Sequence, residues 1–418
     1  MKRVLLVTLV LGAALTVALP GAFARTEATQ ATPGITSKSI KIGGTFPYSG
    51  PVSSYSPIPE GMKTYFRFIN SRKGPDGKRG IYGRKIDFKT YDDAYNPGQT
   101  VQLTRKLVLD DKVFAVVGSL GTEPNLAIRD ELNKGKVPQV LVSTGASYWG
   151  TQYKQFPWTF GWQTDYVAEG RMYARWILAN AARKKIAIFY QNDDYGKDYL
   201  RGIKNALGSK QNLIVSELGY EVTDTSYLSQ ISRQKATGAD TWILLTTAGT
   251  PTVRAIGTAA RLGWKPDQII INSVAATDGV MRAAVAAVGQ NFVNGAVSTG
   301  YLKNNTNPKY KNDPAIRSYR RIMSKYAPTG GVDIRNTFYY YGVAKAYDFV
   351  KLMYAAGKNP TRASLMAATT KMNWVNPYTL KGVRIKTSKT DRFPIDQGRV
   401  VQYTNGSWTE ISALYKGR

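Results

Sequence analysis

Phe114-Ala115-Val116-Val117-Gly118-Ser119-Leu120-Gly121-Thr122-Glu123-Pro124 decides how this chain is read. The apolar run 114–117 stops at Gly118, passes through small polar residues and meets Pro124 where a helical pattern begins. That order predicts a buried parallel strand running into a loop and a helix N-terminus. Unpaired backbone N–H groups and the helix dipole at such a junction both favour an anion. A similar unit follows, an apolar strand at 139–143 and then Thr144-Gly145-Ala146-Ser147. Two hydroxyl-rich loops at neighbouring strand ends predict a crevice that takes a carboxylate.

Working outward, strand and helix signals alternate. Residues 39–45 and 85–91 read as strands, and 57–72 as a helix with Met62, Tyr65, Phe66 and Ile69 on one face. Asn96-Pro97 is an N-cap followed by proline at the first helical position, opening a helix to about Asp110. Residues 164–180 form a further helix. A second series has strands at 185–190, 214–222, 241–245 and 268–271, with helices at 195–207, 227–236 and 250–263. Two separate βαβα runs with apolar strands predict an α/β protein with two doubly wound parallel sheets. After Gly295 come helices at 313–326, 336–356 and 361–371, then strands and turns over 382–411. Helices arriving so late predict that the chain returns to cover the first sheet.

The chain has 418 residues, enough for two domains with cores of their own. Lys2 and Arg3, the apolar run 4–19 and Ala22-Phe23-Ala24 read as a signal peptide over 1–24, too short in its apolar part for the ~20 residues of a membrane span. Residues 25–36 are expected to be a disordered leader. Without cysteine there is no lipid-anchor site and no disulfide, and a body with large cores does not need one. The protein is therefore expected to be exported to the periplasm or the outer side of the cytoplasmic membrane.

The formal charge of +29 raises nucleic acid as a partner, but the basic residues are scattered and the longest run is Arg183-Lys184-Lys185. A solvated basic surface is expected instead. With no histidine and no cysteine, the Ser-His-Asp triad, thiol nucleophiles and most zinc sites are excluded. Asp92-Asp93 and Asp193-Asp194 resemble catalytic pairs, but sequence neighbours at strand ends point apart and are expected to cap loops and helices. No Ca²⁺-loop spacing occurs, so neither cofactor nor metal is expected.

In order and spacing, six segments resemble the extracytoplasmic solute-binding proteins of ABC importers, in the leucine/isoleucine/valine-binding group. They are IGGTFPYSGP (42–51), YDDAYNP (91–97), 114–122, 142–147, NDDYGKDYL (192–200) and Arg261-Leu262-Gly263-Trp264. The resemblance implies two Rossmann-like lobes, three crossovers at a hinge, a solute trapped between the lobes, a monomer, and an ABC permease as partner. It places lobe 1 at 37–160 and 296–396, and lobe 2 at 161–295 and 397–418. It carries the family's ligand-binding residues onto Tyr55, Thr122, Gly145, Ser147 and Tyr195.

Two positions depart from the amino-acid binders. An aromatic residue is replaced within Thr246-Thr247-Ala248, and the acidic partner of the ligand ammonium within Asn272-Ser273-Val274. A buried ammonium without a carboxylate is costly. The expected ligand is then an aromatic or aliphatic acid without the α-amine, unless Asp278 or Asp193 reaches an amino acid's ammonium. Tyr339-Tyr340-Tyr341 are expected in the core of a covering helix, with one of them able to face the cleft. A ligand-sensing module for a receptor and a secreted carboxylate-dependent hydrolase are the competing readings.

Overall fold

A computed structural model of the chain describes residues 32–180, 185–328 and 332–417. The expected signal peptide, 1–24, lies outside the described residues. So does the leader as far as residue 31. Residues 32–36 do not share the disorder expected of that leader. Ile35 N–H donates to Thr32 O, Lys41 N–H donates to Gly34 O, and Ile35 bridges Ile40, so this segment folds back on the first strand.

The first series runs β1 (Ser39–Phe46), α1 (Pro57–Ser71), β2 (Lys85–Asp92), α2 (Pro97–Arg105), β3 (Val116–Val117), α3 (Thr122–Lys134), β4 (Gln139–Val142), a single turn α4 (Tyr148–Thr151) and β5 (Thr159–Gly161). Its strands form one parallel sheet in the order β2-β1-β3-β4-β5. The second series runs α5 (Tyr166–Asn180), β6 (Ile186–Gln191), α6 (Asp194–Leu207), β7 (Ile214–Tyr220), α7 (Leu228–Ala236), β8 (Thr241–Leu245), α8 (Thr250–Arg261), β9 (Gln268–Ile271), α9 (Asp278–Val288), α10 (Gln290–Val293) and β10 (Val297–Gly300). The chain closes with α11 (Pro314–Tyr326), α12 (Thr337–Ala356), α13 (Arg362–Thr369), the small pair β11 (Asn373–Trp374) and β12 (Ile385–Lys386), then β13 (Gln397–Thr404), β14 (Ser407–Glu410) and β15 (Tyr415–Lys416).

The second sheet has the order β14-β13-β10-β9-β8-β6-β7, with β15 also on β13. Strands β6 to β10 are parallel, and β13 joins them antiparallel. The chain passes between the sheets after β5, after β10 and before β13. Strand β10 pairs with β9 and β13. The boundary expected at 296 therefore leaves one strand of the second sheet on the wrong side. Its sequence, VSTG, carries too little apolar signal to be read as a strand.

Helices α11 to α13 return to the first sheet. Ile316, Tyr340, Phe349 and Leu352 share one core cluster with Ile40, Ile42 and Phe66, and burying such a side chain contributes roughly 1.5–3 kcal/mol. The helix pairs that carry the site are set by glycine. A Cβ on Gly61 would strike the Tyr339 carbonyl, and one on Gly342 the Ile58 carbonyl, so α1 and α12 touch backbone to backbone. In the second lobe Gly170 and Gly202 do the same for α5 and α6, against the carbonyls of Tyr199 and Val167.

Candidate ligand-binding cleft

Between the two sheets lies a cavity of ≈ 140 Å³. The first lobe contributes Tyr55, Tyr95, Gly121, Thr122, Ser143 and Thr144 to its walls. The second contributes Tyr195, Thr247 and Ser273, and the hinge contributes Gln163, Tyr301 and Lys303. A more open depression of ≈ 640 Å³ adjoins it, sharing Thr277 and Phe338.

The two loops read from the sequence form one wall. Gly121 takes φ 101° as the N-cap of α3, and no side chain caps that helix. The helix thus presents its positive end to the cavity beside Thr122. Elsewhere Asn96, Asp193, Thr277, Asp313, Asn336 and Thr361 cap their helices with a side chain. Thr122 Oγ1 lies 2.6 Å from Thr144 Oγ1, and Thr144 Oγ1 also accepts from Ala146 N–H at 3.2 Å. Tyr341 donates to Gln163 Oε1 at 2.7 Å, and Gln163 Nε2 donates to Tyr166 at 3.3 Å, which ties α12 to α5 across the hinge.

Of the five residues expected to bind ligand, the structure gathers Tyr55, Thr122 and Tyr195 around this cavity and leaves Gly145 and Ser147 off it. A Cβ on Gly145 would strike the Thr164 carbonyl, and Gly145 O accepts from Tyr166 N–H, so this glycine serves the approach of two chain segments. Ser147 is committed to the opposite lobe. Its N–H donates to Asp198 Oδ2 at 2.6 Å, and its hydroxyl accepts from Arg201 at 2.8 Å. The anion at the second loop is a protein carboxylate on α6. Burial raises the Asp198 carboxyl pKa, and the Ser147 N–H and Arg201 lower it.

Other contacts join the lobes in the same way. Tyr55 Oη accepts from Ala248 N–H at 2.9 Å, and Ser54 Oγ donates to Ala248 O at 3.1 Å. Glu123 Oε1 accepts from Asp194 N–H at 3.1 Å, placing a first-lobe carboxylate at the N-terminus of α6.

Each wall also hides a titratable group behind a serine. In the first lobe Lys345, fully buried on α12, donates to Ser143 Oγ. In the second, Glu169 on α5 accepts from Ser273 N–H at 2.7 Å, from Ser273 Oγ at 2.8 Å and from Tyr173. Burial pushes the Glu169 carboxyl up and the Lys345 ammonium well down from their ordinary values.

Within 272–274, the segment expected to lack an acidic partner for a ligand ammonium, Asn272 is a satisfied amide set behind Ser273 and Val274, which line the cavity. Asn272 Nδ2 donates to Leu244 O at 3.1 Å and Thr246 O at 2.7 Å. Its Oδ1 lies 3.1 Å from the Tyr195 hydroxyl. Asp278 lines the cavity, its carboxylate held by Asn304 and Thr306. Asp193 does not line it; it caps α6, accepts from Gln191, and is pushed up to about 6 mainly by burial. Asp92 and Asp93 accept from the N–H groups of Tyr48, Ser49, Ala94 and Tyr95, as caps do.

The sequence reading does not single out Tyr95, Gln163, Tyr166 or Lys345. Tyr95 takes φ 61° inside the YDDAYNP segment, a backbone choice no composition rule reveals. Tyr341 is the member of the tyrosine triplet that lines the cavity.

The model of a family described as periplasmic binding protein matches residues 39–407. The Leu/Ile/Val-binding protein of Escherichia coli (strain K12) is 25% identical over 206 residues, 49% of this chain and 53% of that protein, so the chain spans about half the length of the curated relatives it matches. The fatty acid ABC transporter substrate-binding protein from Thermomonospora curvata superposes with a TM-score of 0.76 at 20% identity, covering 93% of this chain and 95% of that one. An ABC-transporter solute-binding protein from R. palustris in complex with 4-hydroxybenzoate gives 0.74 at 20% identity, covering 91% and 97%. At such identities these structures share the fold alone. No helix among the described residues is long and apolar enough to cross a membrane.

Proposed function

The chain belongs to the family described as periplasmic binding protein, and from that premise we propose that it is the exported substrate-binding component of an ABC importer, of the leucine/isoleucine/valine-binding type that its curated relatives represent. It traps a small carboxylate-bearing solute between its lobes by hinge closure and hands it to a membrane permease. It performs no catalysis on that solute. The observation that carries this reading is a cavity walled by both lobes, with the uncapped α3 N-terminus and the Thr122–Thr144 hydroxyl pair in its wall. Branched-chain amino acids, fatty acids and 4-hydroxybenzoate, which the names of the similar proteins carry, have a carboxylate in common. Asn272-Ser273-Val274, where the amino-acid binders are expected to carry an acidic residue, favours an acid without an α-amine, because the Asn272 amide is already paired and none of the three side chains carries a charge for an ammonium.

A thermal-shift and calorimetric screen of the protein against leucine, octanoate and 4-hydroxybenzoate tests this. A solute that binds only the folded state raises Tm by mass action. Octanoate or 4-hydroxybenzoate is expected to do so, and Thr122→Ala to weaken its binding by about 1–2 kcal/mol, one hydrogen bond to a charged group. A shift with leucine alone would assign the ammonium to Asp278. No shift with any carboxylate would end the reading.

A further inference from the structure

Lys345 lies behind the cleft wall, and among the described residues no ion pair is found for this buried ammonium. Its Nζ donates to Ser143 Oγ, a cavity-lining hydroxyl that itself donates to Gly118 O at 2.6 Å. The rings of Tyr341 and Trp162 cover it at 4.6 and 5.2 Å from their centroids, and Tyr341 also lines the cavity. The groups that face it are accounted for. Tyr341, on its own helix, is held phenolic by burial and donates to Gln163. Tyr166, from α5, is likewise raised by burial. Asp348, three residues on, spends its carboxylate on the indole N–H groups of Trp162 and Trp374 and on Asn376. The β4 loop presents Ser143, and the turn after β3 presents Gly118.

An ammonium removed from water is tolerated when an anion compensates it. We propose that Lys345 is the specificity-determining charge of this cleft, and that the counter-anion the fold omits is the carboxylate of the bound solute. The inference rests on the carboxylate reading above and adds a residue to it. The solute's negative end then lies on the first-lobe wall, over Ser143 and beside the α3 N-terminus, and its apolar body extends toward Tyr195 and the hinge. Ser143, whose proton is directed to Gly118, acts as the spacer between the two charges.

Burial holds the free ammonium well below the ordinary lysine range. An anion arriving over it raises that value again, so the solute and a proton bind together. Calorimetry over pH 6–10, in buffers of differing ionisation enthalpy, with octanoate, 4-hydroxybenzoate, leucine and their primary amides, reads this out. For a carboxylate that binds, affinity is expected to fall as pH rises above the free Lys345 value, with proton uptake on binding. Lys345→Met is expected to abolish the uptake, weaken the carboxylate at least tenfold, leave the amide unchanged and raise the ligand-free Tm. A variant that binds the carboxylate as tightly as wild type would overturn the proposal. So would equal weakening of acid and amide with a lowered Tm, which marks Lys345 as a prop for Ser143. Flat wild-type affinity without proton uptake across the pH range would overturn it even if Lys345→Met does not fold. Binding of amides but no carboxylate to wild type would overturn the carboxylate reading instead.

Discussion

Behind Ser143 the first lobe buries an ammonium; behind Ser273 the second lobe buries a carboxyl group. Glu169 is met by two N–H or O–H donors from Ser273 and a third from Tyr173. Lys345 has one hydroxyl and two ring faces. A buried charge surrounded by oriented dipoles belongs to the scaffold, whereas one left with a single neutral partner awaits something that arrives later. The second-lobe wall is thus complete in itself, and the first-lobe wall becomes complete with an anion in place.

The comparison breaks most readily at Glu169. Glu169→Ala strands the Ser273 N–H and the Tyr173 hydroxyl in the interior and is expected to lose about 2–4 kcal/mol in denaturant unfolding. Glu169→Gln keeps an acceptor for them and is expected to lose less than about 1 kcal/mol. Equal losses would mean that the charge of Glu169 matters more than its acceptors.

The pH course of stability sharpens the contrast at smaller amplitude. The Lys345 pKa lies below its unfolded value, so between the two the unfolded chain holds more protons and stability rises with pH. The Glu169 carboxyl lies above its unfolded value, so in its own window, upward from about 4.5, stability falls as pH rises. The Tm advantage of ligand-free Lys345→Met is accordingly expected to shrink as pH climbs toward about 10.4. An advantage that is constant with pH would mean that Lys345 is already neutral throughout.

Much of this architecture is legible in the chain because buried strands between turn signals announce themselves. The strands β8 and β9 fall on residues 241–245 and 268–271, as their apolar runs predict. Asn96, Asp313 and Asn336 cap the helices whose starts they mark. The helix α9 and strand β10 lie in an interval where the sequence reading assigns no element. The site is less legible, because its chemistry is settled by partners distant in sequence. Ser147 reads as a loop hydroxyl at an anion site, and only the tertiary fold brings Asp198 to it from 51 positions away. Lys345 lies in a helix the sequence marks out, but nothing in the sequence singles it out; the packing of α12 against the first lobe's core is what removes it from water.

The bonds that join Ser147 to Asp198, Glu123 to the start of α6, and Tyr55 to Ala248 are made by the protein with itself. On the proposed reading they latch the two lobes together in addition to whatever contacts a solute makes. On the hinge-closure proposal a solute enters while these bonds are parted, so uptake in stopped-flow is expected to reach a plateau set by the opening rate rather than to climb with concentration. Asp198→Ala is expected to raise that plateau. A linear rise in wild type would show the latch standing open. On that proposal the time a solute stays is governed by the lobes' mutual adhesion as well as by the cavity, and two solutes of different affinity leave at the same pace wherever opening limits release.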